Sequence, residues 1–425
     1  MKRVLIISYH FTNRDLIGSN RIWGLFEYLK DFGWDPTILT VKTDQEYHNK
    51  INNVIQTDQR IFHTSIFRFL NINPKKPLKE QIVFTSKKNK KGIIEFFSKL
   101  YKEIFYYPDS AIGWYDSAIE SGNELLSKNK FDVIISSSSP ATTHIIASVL
   151  KKEHNLPWIA DFRDLWTQNA YYDFSPFRKY WEKKLELRII SLANAITIVS
   201  EPLAIELKKN YKNIPILTIT NGYDPDDVKN TAILSNKFSI VYTGQLYRGK
   251  RDPELLFDAI KQLCDNGKLD TRDISIDFYG PYEPWLRTDI EKYGLQNIVT
   301  EHGHISRETA IAEQNKAQVL LLLTWNNNSE KGVYTGKLFD YLAAHRPILS
   351  MGYPEGGVVK DLLKQTQAGV HVSNVEELKE YLIKAYMEYK KTGAAQYNGI
   401  EAEVMKYSHR EMARKFAEVL DGLST

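Results

Sequence analysis

The sequence has almost no cysteine. Cys264 stands alone among 425 residues, so an internal disulfide and a cysteine-built zinc site are excluded, and a reducing compartment is expected. Long apolar runs are also missing. No stretch approaches the roughly 20 residues that a membrane-crossing helix needs. The opening run Val4–Ser8 is too short for the core of a signal peptide and reads as a first β-strand. Glycine (22) and proline (15) are not enriched, which removes collagen-like and low-complexity classes. The ten histidines contain no H-x-x-x-H pair, and neither a G-x-S-x-G nor a Walker sequence occurs, so nothing points to a zinc hydrolase, a serine hydrolase or a P-loop enzyme. A formal net charge of only +4 gives no reason to expect a nucleic-acid partner.

What is present is alternation. Short apolar runs alternate with helical patterns, the signature of parallel-sheet α/β proteins. In the first half, strands are expected at 4–8, 36–41, 133–135, 157–160, 195–200 and 216–220. Ile22, Leu25, Phe26 and Leu29 form one helix face, and a long helix is expected over 177–192. Asn221-Gly222-Tyr223-Asp224-Pro225 is a turn cluster, and a fresh series follows with strands at 238–243, 274–279, 298–302, 318–323 and 347–350. The boundary is expected at about 225–235. Ser408-His409-Arg410-Glu411 is a capping box opening a terminal helix. Cys264 lies in a helical pattern and reads as a packing residue.

In open α/β sheets, ligands bind beyond the carboxyl ends of the strands, and four segments stand there. Gly18-Ser19-Asn20-Arg21 precedes a helix and suits either an anion or an ordinary capped turn. Asp161-Phe162-Arg163-Asp164 follows a strand; its carboxylates could meet sugar hydroxyls or simply pair with Arg163. Gly244 is followed by Arg248, Lys250 and Arg251, which suits a phosphate. Thr335 and Gly336 open a helix and would present backbone N–H groups to an anion, with Asp340 one turn further on. Asp224-x-Asp226 matches a metal-type acidic pair, but in a proline-containing link it reads better as an Asx-turn.

The segment "GKLFDYLAAHRPIL" resembles the acidic helix of retaining glycosyltransferases of family 4, the group 1 glycosyl transferases with a GT-B fold. "YTGQLYRGKRDPELLFDAI" resembles their strand–glycine–lysine hallmark. "ADFRDLW", "ANAITIVSEPLA", "TNGYD", "FYGP" and "HGHISR" follow in family order. The resemblance implies two Rossmann-like domains facing across a cleft, an acceptor-side domain over 1–228 and a nucleotide-sugar domain over 229–407, with the terminal helix 408–425 returning to the first. It implies an enzyme that moves a sugar from a nucleotide-diphosphate sugar to a hydroxyl of a glycan or lipid-linked acceptor with retention, in capsule, O-antigen or exopolysaccharide synthesis. A 2-epimerase of the same fold and a non-catalytic nucleotide-sugar binder are the alternatives. Asp161, Lys250 and Arg248 are the implied catalytic group. Gly18, Arg21, Gly244, Gly280, Gly303, Ile305, Tyr334, Thr335, Gly336, Lys337 and Asp340 are the implied donor site. No cofactor and no metal are expected.

The sequence departs from the family in two places. The first acidic position of the family's E-x7-E pair is Gly332, with Glu330 two residues early. Gln245 stands where relatives commonly carry a phosphate-binding arginine.

Residues 75–103 hold nine lysines against three glutamates, a net +6 interleaved with aromatic and aliphatic residues. The rest of the chain is near neutral. The stretch through 105 is expected either to lie on an anionic membrane or to expose a solvated lysine face. The protein is expected in the cytoplasm, where it could attach to the inner face of the plasma membrane.

Overall fold

The structure, a computed structural model, describes residues 1–11, 17–43, 52–60, 103, 106–170, 172–228, 232–325, 332–352 and 357–424. The lysine-rich stretch before Glu103 and the candidate Glu330 lie outside the described residues.

Two compact units emerge. The first comprises residues 1–198, 204–217 and 416–425; the second comprises 199–203 and 218–415. In the first, β1 (Lys2–Ser8), β2 (Trp34–Val41), β3 (Val54–Thr57), β4 (Val133–Ser138), β5 (Trp158–Phe162), β6 (Ala195–Ile198) and β7 (Ile216–Thr218) form one sheet in the order β3-β2-β1-β4-β5-β6-β7. β1 pairs in parallel with both β2 and β4, so the strand order reverses beside β1. β4 and β5 are buried along their whole length, as expected of strands covered on both faces by helices.

The second unit repeats the plan. β8 (Phe238–Thr243), β9 (Ile274–Tyr279), β10 (Val299–Gly303), β11 (Val319–Leu323), β12 (Ile348–Met351) and β13 (Gly369–Val372) run in the order β10-β9-β8-β11-β12-β13. Alternation divides its core. Ile240, Tyr242, Leu321 and Leu323 pack with the helices Glu254–Asp265 and Val375–Thr392 on one face. Val241, Leu320 and Leu322 pack with Gly336–Ala343 and Gly357–Thr366 on the other. Sheet order therefore reverses between β8 and β11, the position at which doubly wound sheets open a crevice.

The terminal helix His409–Leu423 begins as the capping box implies. Glu411 N–H donates to Ser408 Oγ at 3.2 Å. Its residues from Phe416 onward cluster with the first unit. Asp226 N–H donates to Asp224 Oδ1 at 3.1 Å, which makes that acidic pair an Asx-turn. Cys264 is partly buried against the second core. Among the described residues no helix is long and apolar enough to cross a membrane.

Candidate functional site

The second unit gathers the cation-bearing segments at the carboxyl ends of β8 and β11. Gly244 leaves β8 at φ +112°, a backbone region that side chains other than hydrogen rarely enter. Its N–H donates to Tyr279 O at 2.6 Å. Gly280 packs directly against the Gly244 carbonyl, where no Cβ fits. Its own N–H donates to Gly303 O at 2.9 Å. Three neighbouring strands thus end in glycines, a floor of backbone over which Lys337 packs at Gly244 and the Tyr282 ring at Gly303.

Lys337 covers this floor. Its Nζ donates to the Tyr242 hydroxyl at 2.6 Å and sits 3.9 Å from that ring's centroid. Burial, and then the Arg251 cation, pull its pKa well below the usual lysine value. Asp340 offsets part of this pull, and a bound anion would favour the charged lysine further.

The loop after Gly244 closes into a tight turn. Tyr247 N–H donates to Arg251 O at 3.0 Å and Arg251 N–H to Tyr247 O at 2.7 Å. The turn carries Arg248 and Lys250 at its exposed tip. Trp325, just after β11, collects the cations: Lys250 Nζ lies 4.6 Å and the Arg251 guanidinium 5.4 Å from its ring. Sequence reasoning missed Trp325. Its only signal was its place after a strand at the sheet's reversal point.

Thr335 is the N-cap residue of the helix Gly336–Ala343, yet its side chain makes no capping bond and its buried Oγ1 has no hydrogen-bond partner. The first backbone N–H groups of a helix have no intrahelical acceptor. Tyr334 packs edge-on against Phe339 at 5.8 Å, and Ile305 sits in the loop between β10 and the helix Arg307–Lys316. Asp340 is held by Arg307 through both oxygens, at 3.0 and 3.3 Å. Burial raises its carboxyl pKa, against the lowering effect of Arg307. Gly332 fills a close approach: a Cβ there would lie 3.1 Å from Pro202 and 3.2 Å from Leu203. An acidic side chain at 332 would require the side chains of Pro202, Leu203 and Ser200 to shift by a few tenths of an ångström.

The first unit treats its candidates differently. Asp161 is 0% exposed and Arg21 2%. Arg21 donates to the carboxylate from Nε (3.0 Å) and Nη2 (2.8 Å), Ser137 Oγ at 2.7 Å and Thr197 Oγ1 at 2.7 Å. Asp161, expected in the catalytic group, and Arg21, expected in the donor site, instead form one buried ion pair. Asp161 bonds Arg21, 140 residues away, rather than its neighbour Arg163. Arg163 instead donates to the carbonyls of Gly18, Ser138 and Ser139. Asp164 stands at the rim of a cavity of about 250 Å³ lined also by Trp166, Tyr172, Phe174 and Glu182, and desolvation by the surrounding protein raises its carboxyl pKa against the lowering effect of Arg163. A larger groove of about 1010 Å³, along edge strand β10, is lined by Tyr282, Arg287 and Glu301 and includes none of the clustered cations.

Two doubly wound α/β units, one with a cationic site at its reversal point, define a two-domain protein of the GT-B class. Residues 18–227 match the model of Glycosyltransferase Family 4. Solved structures of the same fold include the sucrose-phosphate synthase of Thermosynechococcus elongatus (14% identity, TM-score 0.63, covering 100% of this chain and 99% of that one). The Anabaena protein HepE in complex with UDP and glucose aligns at 11% identity and TM-score 0.61, with both chains covered completely. The lipopolysaccharide outer core galactosyltransferase WaaB in its apo form aligns at 11% and 0.57, with 99% of each chain covered. No curated protein sequence matches the chain.

Proposed function

We propose that this glycosyltransferase takes its sugar from a nucleoside-diphosphate donor bound at the second unit and passes it, with retention of configuration, to a hydroxyl of a glycan or lipid-linked acceptor of a surface polysaccharide. The observation that carries the reading is the cation cluster itself. Lys250 and Arg251 on Trp325, with Lys337 over Gly244, surround a backbone floor at the sheet's reversal point. HepE, of the same fold, is solved with UDP, which supports a nucleoside diphosphate here.

In this reading, departure of the diphosphate builds negative charge that Lys250, Arg248, Lys337 and the N–H groups of Thr335 and Gly336 stabilise. No metal ion is required. Ile305 meets the base through its backbone. Asp340 takes the ribose hydroxyls, with Arg307 fixing the carboxylate's orientation. Gly244, Gly280 and Gly303 let the donor approach the main chain. The acceptor hydroxyl attacks on the face the diphosphate leaves, since among the described residues no carboxylate stands out as a protein nucleophile, and positioning supplies much of the rate. Asp161 and Arg21 act from the interior, by holding the ends of β4, β5 and β6. The cavity beside Asp164 and Trp166, with rings to stack on and a carboxylate to accept from hydroxyls, suits the acceptor sugar. The lysine-rich residues 75–105 are the proposed contact with an anionic membrane at the cytoplasmic face.

A thermal-shift screen with UDP-, GDP-, ADP- and CMP-sugars tests the donor. One base should stabilise the fold, as linkage requires, and Lys250→Ala should remove most of that shift. Donor incubated alone separates transfer from epimerisation. Epimerised donor sinks the transfer reading, whereas nucleotide release that depends on added acceptor supports it. Native turnover in Lys250→Ala and Asp340→Ala would rule out the site.

A further inference from the structure

The helix Pro176–Ile190 wears its polarity inside out. Its carboxylates point inward. Glu182 accepts from Trp166 Nε1 at 2.7 Å, the Tyr172 hydroxyl at 2.6 Å and Arg178 Nε at 3.1 Å. Glu186 accepts from Thr167 N–H at 3.1 Å and the Tyr211 hydroxyl at 3.2 Å. Both glutamates are buried. The outer face carries Phe177, Tyr180 and Trp181, exposed by 74%, 56% and 49%. Lys179, Lys183, Lys184 and Arg188 are exposed between them. These three are the exposed large aromatics of the first unit among the described residues.

From this face we infer a docking surface for an anionic lipid bilayer. Three neighbouring rings this far exposed form an apolar patch of the kind that marks a contact surface. With both glutamates internal, the outer face has cations and no carboxylate on the helix to offset them. A second copy meeting this face about a two-fold axis would set lysine against lysine, so a homodimer is disfavoured. A bilayer answers both features. Tryptophan and tyrosine settle at the headgroup level while lysine and arginine reach anionic headgroups. Lys184 is already arranged for this, its Nζ over the Tyr180 ring at 4.4 Å and over the Trp181 ring at 5.1 Å, so that charge and rings are presented together.

Two connections bear on the site. Glu103, the last residue of the lysine-rich stretch, accepts from the N-cap Ser175 through N–H at 2.7 Å and Oγ at 2.8 Å. Tyr172, Asp173, Phe174 and Glu182 line the cavity assigned to the acceptor. The acceptor cavity thus adjoins the N-terminal end of the docked helix. This last consequence rests on the proposed function; the docking surface itself does not.

The test is flotation of the full chain with vesicles of phosphatidylcholine alone, or with roughly one phosphatidylglycerol in four. The native chain should float only with the anionic vesicles. Phe177→Ser, Tyr180→Ser and Trp181→Ser combined should lower the bound fraction about tenfold, and Lys179→Gln, Lys183→Gln and Lys184→Gln combined similarly. The ring replacement should also lower binding in a background of Lys87→Ser, Lys88→Ser, Lys90→Ser and Lys91→Ser, which assigns the effect to the helix. Undiminished flotation of the ring variant overturns the proposal, as does equal binding to neutral vesicles. A change from dimer to monomer in light scattering with flotation unchanged assigns the face to a second copy and overturns it too. The nucleotide-sugar thermal shift, measured in parallel, should be the same in native and ring variant, so a failed donor reading and a failed docking surface are told apart.

Discussion

Lys337 lies across Gly244, close enough that a Cβ on that glycine would stand 2.7 Å from the lysine Nζ. The glycine is there for two reasons at once, its φ of +112° and the lysine stem packed over it. Gly244→Ala should therefore lower stability by about 1–3 kcal/mol and push Lys337 out of place. Urea denaturation gives the first effect. Loss of the UDP-dependent rise in melting temperature gives the second. An alanine variant with its UDP shift intact would separate Gly244 from the anion site.

Lys337 itself should oppose folding while it serves binding. Burial, then Arg251, hold its pKa below the ordinary 10.5. The unfolded chain keeps a proton that the folded one releases, so stability rises with pH from the lowered pKa up to 10.5, and the cost of the buried charge is fully present below that window. Lys337→Met should leave the ligand-free protein at least as stable near neutral pH and flatten this rise. It should also weaken UDP binding, because a bound diphosphate favours the charged lysine. Calorimetric binding across the alkaline range checks both. A methionine variant that binds UDP as tightly as the native chain would count against the lysine's role.

Trp325 should matter through the cations it holds. Lys250 and Arg251 both stack on its ring, and such contacts are worth about 0.5–2 kcal/mol each. Trp325→Ala should weaken UDP binding by roughly 1–2 kcal/mol, with most of the melting temperature kept. Combined with Lys250→Ala, the loss should be less than additive, since both remove one contact. Full additivity in titration calorimetry would mean that the ring and the lysine act separately.

The elements were legible where local rules govern. β8 and β9 run over 238–243 and 274–279, as their apolar runs imply. The capping box at Ser408 and the Asx-turn at Asp224 form from residues two or three apart. Two short strands were not legible. Val54–Thr57 and Gly369–Val372 are edge strands of four residues, with too few positions for a period to show. In the candidate site, glycines and cations after β8 could be read because the chain itself brings them together. The covering of Gly244 by Lys337, 93 residues on, could not, nor could the meeting of Asp161 with Arg21. Those contacts exist only once the sheets are assembled. The helix Pro176–Ile190 was visible as a helix, but its pattern of rings and charges does not say which side faces the protein. That is decided by Arg178 reaching the carbonyls of Tyr106 and Pro108.

His144 should make the first unit sensitive to acid. Its ring is wholly buried, with Nδ1 2.7 Å from Ser136 Oγ and the ring centroid 4.7 Å from that of Phe162. Burial lowers its pKa to about 3; Asp161 opposes the shift and Arg163 adds to it. The unfolded imidazole takes a proton below about 6.5, the folded one only near 3, so stability is lost as pH falls through that window. The loss attributable to this ring is on the order of 4 kcal/mol. His144→Gln should show a shallower decline in urea midpoint over the same range. An unchanged slope would assign the acid sensitivity to other groups.

The pair Arg21–Asp161 separates an architectural role from a chemical one. Burial alone would raise the Asp161 pKa, but Arg21, Thr197 and Ser137 outweigh it and hold the carboxyl below its usual value, so it stays charged in the interior. Removing one partner strands the other, which typically costs about 3–5 kcal/mol. Asp161→Ala and Arg21→Met should each destabilise by that order. The double variant should be less destabilised than the two losses summed, because no isolated charge is left. Neither group is exposed, so the folded fraction of each variant should keep its kcat when activity is corrected for unfolded protein. A kcat that collapses in Asp161→Asn while its melting temperature and UDP shift stay native would return this carboxylate to the reacting groups.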